Sequence, residues 1–92
     1  MQTNRLLVVG KVRKFEQSDW LNDIGGRYYD LLELSPGRYA CQFETTGSPL
    51  RALQRLSRKF PQLVFLLHYE AGRTMGLAMV KAGTLEDHSV SY

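Results

Sequence analysis

The amino-acid sequence predicts an α+β fold in which two helices lie on one face of a mostly antiparallel sheet. Three observations carry that expectation. Short β-prone apolar segments recur between turn residues, and only two stretches repeat their apolar positions at helical spacing. Ser35-Pro36-Gly37 and Glu70-Ala71-Gly72-Arg73 are hairpin connections, built from residues that pre-set or accept turn dihedrals. The two helical stretches fall after the first strand and between the third and fourth. The whole chain, 1–92, reads as a single domain with a polar tail at 84–92. A chain of this size buries roughly 60–65% of its unfolded surface, enough for one two-layer core.

Asn4 to Lys14, "NRLLVVGKVRK", is β-rich, with Gly10 marking a bulge or a close approach of backbone. Phe15 to Ile24 is a short helix candidate with Phe15, Trp20, Leu21 and Ile24 as an imperfect apolar stripe, and Gly25-Gly26 ends it. Arg27–Leu34 and Arg38–Glu44 flank a type II turn, proline supplying φ and glycine accepting φ > 0. Ser48 is placed to cap the next helix, with Pro49 at its first position; the helix runs to about Lys59 and Pro61 forbids continuation. Leu50, Leu53, Leu56 and Phe60 fall on one side of it, and Arg51, Arg55, Arg58 and Lys59 on the other. Leu63–Tyr69 and Thr74–Lys81 form a second hairpin. The tail from Thr84 is expected to be loosely held, or a short edge strand at most.

The resulting order, β-α-β-β-α-β plus an extra edge strand, is the split βαβ or ferredoxin-like sandwich. Right-handed crossovers put both helices on one face, with the first and third strands central and the extra strand beside the fourth.

Composition narrows function more than it assigns it. The hydrophobic fraction of 43% and charged fraction of 23% exclude a disordered chain. Twelve basic against nine acidic residues give a net charge of +3, which permits weak attraction to polyanions without demanding it. Cys41 is the single cysteine, which excludes an internal disulfide and suits a reducing, cytoplasmic setting. The early apolar run Leu6–Val9 is too short for a signal core or a membrane span.

Candidate sites are few. Thr45-Thr46-Gly47-Ser48 opens a helix and could hold an anion, but capping and turning explain the same residues, and no phosphate-loop motif is present. His68, His88 and Cys41 lack metal-ligand spacing, so neither a metal nor a cofactor is expected. His68 and Tyr69 are adjacent on a strand and must point to opposite faces, which argues against an acid–base pair. Asp30, Glu33, Glu86 and Asp87 read as surface carboxylates, and Tyr39 and Phe43 as core rather than base-stacking residues. No catalytic constellation emerges, and a non-enzymatic protein is expected. The first strand is apolar on both faces (Leu6 and Val8 against Leu7 and Val9), and so is the fourth (Leu63, Phe65 and Leu67 against Val64 and Leu66). One pair of helices cannot cover both faces of such a sheet, so Leu7, Val9, Val64 and Leu66 are the candidate protein interface, most simply of a homodimer. The alternative is a nucleic-acid accessory module that uses Arg51, Arg55, Arg58 and Lys59, with Lys11, Arg13 and Lys14 at the end of the first strand.

"TNRLLVVG", "FETTGSP", "LSRKFPQLVF" and "YEAGRTMG" occur in that order, and with them the chain from Asn4 to about Gly83 resembles the YubB-type ferredoxin-like family. Those are small proteins of unknown function carried mainly by plasmids, phages and other mobile elements. Asn4 and Leu6 match the family's opening strand; Phe43, Thr45, Ser48 and Pro49 match its strand–helix junction. Ser57, Phe60, Pro61, Tyr69, Glu70, Gly72 and Gly76 match the segment that follows. The family tends to carry tryptophan at the place of Gly47, a second proline at Leu50, and polar residues at Leu7 and Val9. The resemblance implies the fold and a mobile-element origin, and supplies no reaction.

Overall fold

A computed structural model describes all residues, 1–92. Six strands, β1 (Gln2–Val9), β2 (Arg27–Ser35), β3 (Arg38–Thr45), β4 (Val64–Ala71), β5 (Thr74–Lys81) and β6 (Thr84–Ser91), form one sheet in the order β2-β3-β1-β4-β5-β6. Every adjacent pair is antiparallel. Three helices join them: α1 (Arg13–Glu16), α2 (Trp20–Asp23) and α3 (Leu50–Lys59). The central order β2-β3-β1-β4 is the ferredoxin-like one, with β1 and β3 inside as expected, and β5 extends the sheet beside β4. No helix is long and apolar enough to cross a membrane.

The core lies between the helices and one face of the sheet. Alternation puts Leu6 and Val8 of β1, Cys41 and Phe43 of β3, and Phe65 and Leu67 of β4 on that face, all buried. Leu50, Leu53 and Leu56 of α3 meet them, at the spacing that makes one stripe of a helix. Phe15 is the hub: its ring stacks on Trp20 at 4.9 Å and takes edge contacts from Tyr39, Phe60 and Phe65 at 5.4–5.7 Å. Gly10 is the close-approach point the sequence suggested, for a Cβ there would lie 2.8 Å from Leu63 Cδ2. Its N–H donates to the carbonyl of Gly37, tying the first strand to the β2–β3 turn.

Four local expectations are corrected. Phe15–Ile24 is two short turns of helix, because the Ser18 hydroxyl donates to the Phe15 carbonyl at 2.6 Å and closes the first turn, while Asp19 leaves helical geometry. The first strand ends at Val9, so Arg13 and Lys14 belong to α1 and not to a strand end. Helix α3 starts one residue later than expected: Pro49 is its cap residue, its carbonyl accepting from Leu53 N–H, and Ser48 Oγ accepts only a long 3.4 Å bond from Leu50. The tail is no loose end but an eight-residue strand, β6, paired along its length with β5.

The last strand is held by one side chain in particular. Tyr69 on β4 lays its ring over Gly76 on β5 and donates its hydroxyl to Asp87 on β6 at 2.8 Å. Two strands are thereby spanned from a third. Ser57 of α3 adds a second tie, accepting from Gly83 N–H at 2.8 Å in the β5–β6 turn while Gln54 donates to the Gly83 carbonyl.

Candidate functional site: the open face of the sheet

The helices cover one face, and nothing in the chain covers the other. Register sets its side chains in rows across the strands. One row runs Ala40, Leu7, Leu66, Met79; the next, toward the start of β1, runs Gln42, Arg5, His68, Leu77, His88. On the other side of the leucines, Val9 is paired with Val64, between Arg38 and the end of β5. The four residues expected from sequence to form an interface, Leu7, Val9, Val64 and Leu66, thus make a two-by-two patch on the middle pair of strands. Val9 and Leu66 are 37% and 38% exposed, and Leu7 and Val64 are half-buried. β6 continues the sheet at its edge and does not fold back as a roof over them.

The patch is larger than the sequence suggested. Leu32 (53% exposed), Leu77 (63%) and Met79 (42%) extend it. The surface is dished, and Leu7, Leu32, Leu66, Leu77 and Met79 line an open trough of about 420 Å3 with Arg5, His68, Glu86 and His88 at its rim. Strand β5 carried a signal that would have found two of these. Its small residues, Gly76, Ala78 and Val80, are buried beneath the helix side, while Met75, Leu77 and Met79 alternate outward. Ordinary alternation on a half-covered sheet puts the large apolar residues inside. Here the strand is turned the other way, because Tyr69 and α3 already fill the space over it.

Charge is arranged as well. The end of the open face at Val9 carries Arg38 and Lys81; the opposite end, at Thr3, carries Glu44 and Glu70, with Arg27 beside Glu44. Arg38 makes the one ion pair of the chain, with Glu33 at 3.7 Å. Across the whole face Arg5, Arg27, Arg38 and Lys81 are outnumbered by five acids, Asp30, Glu33, Glu44, Glu70 and Glu86. The chain's positive charge therefore sits on the helix side and in the turns.

The remaining sequence candidates fall as follows. Arg51, Arg55, Arg58 and Lys59 are all exposed on α3, and Arg58 lies along the β5–β6 turn, where a Cβ on Gly83 would meet its Nε at 2.6 Å. The Thr45–Ser48 turn is occupied with itself: Asn4 Nδ2 donates to Thr45 Oγ1 at 3.0 Å, and Thr45 donates on to the Gly47 carbonyl at 2.6 Å. Gln2 completes that buried chain by donating to Asn4 Oδ1, and no buried side-chain polar atom in the chain lacks a partner. His68 faces the open side and Tyr69 the core, as strand geometry requires. No group of three or more metal-ligating side chains converges anywhere. Tyr39 and Phe43 are core, and burial pushes the Tyr39 phenol well above its ordinary range. Burial likewise raises the Cys41 thiol to about 12.

No family model matches the chain, and neither a curated protein nor a solved structure does.

Proposed function

We propose that this is a non-enzymatic protein that works as a homodimer, two copies docking their open sheet faces together. The observation that carries the reading is the uncovered apolar block Leu7–Leu66 and Val9–Val64, widened by Leu32, Leu77 and Met79. A contiguous exposed patch of leucine, valine and methionine is unfavourable in water, and face-to-face sheet packing removes it at a spacing of about 10 Å. The charge pattern favours a second copy over an unrelated partner. A two-fold axis running across the strands brings the Arg38–Lys81 end of one copy over the Glu44–Glu70 end of the other. The same patch then meets itself with its charges opposed, as an isologous interface requires. The resemblance to the YubB-type family, with the mobile-element setting it implies, belongs to this reading too.

Light scattering on the purified chain tests it. Twice the 10.5 kDa chain mass is expected at micromolar concentration, falling to the single-chain mass for Leu66→Asp and Val9→Glu. Both positions point away from the core, so the circular dichroism of the variants should be unchanged. A wild-type chain that stays at single-chain mass at high concentration refutes the dimer.

A further inference from the structure

We propose that the helix side binds the phosphate backbone of duplex nucleic acid, so that the dimer, with one such side facing each way, holds two duplexes together. The first half stands on charge placement alone; the bridging rests on the dimer proposed above. Once the open face has taken its four cations and five acids, eight of the twelve cations are left against four acids. Seven of those eight form one band. Arg51, Arg55 and Lys59 rise along α3 at intervals of four, and Arg58 stands beside them. The band continues past the helix end, because Phe15 of α1 packs on Phe60 at 5.5 Å. That contact brings Lys11, Arg13 and Lys14 around a groove floored by Phe60, Pro61 and Gln62. Asp23 faces Arg55 and Lys59 across a shallow depression, and Glu16 lies beside Lys11 and Arg13, yet none of these cations has a carboxylate within ion-pair distance.

The chemistry points to a phosphate polymer read without sequence. The apolar stripe of α3 is buried in the core, so this helix has nothing to insert into a membrane. Phe60 is the only aromatic at the band and is itself half-buried against Phe15, so no stacking platform for single strands exists there. A row of exposed arginines and lysines along a helix and past its end matches backbone phosphates. In the face-to-face dimer the two bands lie on opposite outer surfaces, on the order of 40 Å apart for two sheets and two helix layers. One duplex cannot reach both, so two are held.

Two measurements on the full chain decide this. Anisotropy of a labelled 20-base-pair duplex should show binding in the about 10⁻⁶–10⁻⁴ M range near physiological salt, with a log–log salt slope of about −3 to −4 for four phosphates neutralised. Beads carrying one duplex should then retain a second, differently labelled duplex only when the protein is present. Arg51→Glu/Arg55→Glu should lose both signals. The milder Arg55→Gln/Lys59→Gln should make the slope shallower by about 0.9 per cation removed. Leu66→Asp should still bind the free duplex and retain no second one. No binding at 50 mM salt, or binding to phosphatidylserine vesicles in place of the duplex, overturns the nucleic-acid surface. A wild-type chain that scatters as a dimer and binds one duplex but retains no second overturns bridging and leaves the dimer standing. A wild-type monomer that binds duplex overturns the dimer, and bridging with it, but not the surface.

Discussion

Replacing Gly76 with alanine places a methyl group where the Tyr69 ring now lies. The added Cβ would stand 2.2 Å from Cζ and 2.3 Å from the hydroxyl oxygen of Tyr69, well inside contact distance, so the ring has to leave. Tyr69 is buried, at 7% exposure, and moving it repacks the space between β5 and β6 at a cost of about 1–3 kcal/mol. Its hydrogen bond to Asp87 is lost as well, at about 1 kcal/mol since Asp87 is exposed and water can replace the phenol. Against this, alanine in a strand gains about 0.5–1 kcal/mol over glycine through the unfolded chain. The net expectation is a loss of about 2 kcal/mol, or a fall in Tm of roughly 8–16 °C for a domain of this size. Urea and thermal melts followed by circular dichroism measure it. In a Tyr69→Ala background the same change has no ring to displace and should stabilise by the entropic amount alone. A Gly76→Ala protein as stable as the parent, or one with the same penalty in both backgrounds, shows that the ring does not pin the β4-β5-β6 register.

Two further outcomes follow from buried groups. Asn4→Ala removes both the donor to Thr45 and the acceptor of Gln2, all three buried, and should cost about 1–3 kcal/mol in urea titrations, while Thr45→Val should cost less than that. Cys41, raised from an ordinary 9.0 to about 12 by burial, should not react with a disulfide reagent at pH 8 until urea unfolds the chain. The sign of the linkage follows. The folded state keeps its proton where the unfolded thiol loses it, so this contribution is intact below about pH 9 and is lost as pH rises toward about 12.

The elements that could be read from the sequence were those with sharp punctuation. Helix α3 announces itself through Pro49, Pro61 and leucines at helical spacing, and both hairpins through their turn residues: Gly37 takes the positive φ its type II turn requires, +83°, and Gly72 in the second turn also has a positive φ, +59°. What escaped was decided by side chains bonding to backbone, or by neighbours. Ser18 ends α1 through a hydrogen bond that no periodicity reveals. β6 is mostly polar, with only Leu85 toward the core and Val90 on the open face, so it has no alternation to detect. It is held by the free edge of β5, by Tyr69 reaching Asp87 and by Ser57 and Gln54 bonding to Gly83 in the turn before it. The candidate surface was half legible. Doubly apolar strands identify Leu7, Val9, Val64 and Leu66, but their grouping needs the β1–β4 pairing, and Leu32 enters only through a shift of register against β3.

That shift has a wider effect. β2 is an outer strand with Leu31, Leu32 and Leu34 all near half exposed, the composition that invites strands of other molecules to add on indefinitely. It is interrupted twice, between Arg27 and Asp30 and between Leu31 and Glu33, and Tyr28 adopts a left-handed φ of 56° within the first interruption. A ladder broken in this way offers no straight run of donors and acceptors to a newcomer. On this side of the sheet the irregular border hinders sideways growth by strand addition, and in the proposed dimer it is the open face, not this edge, where two copies meet and stop.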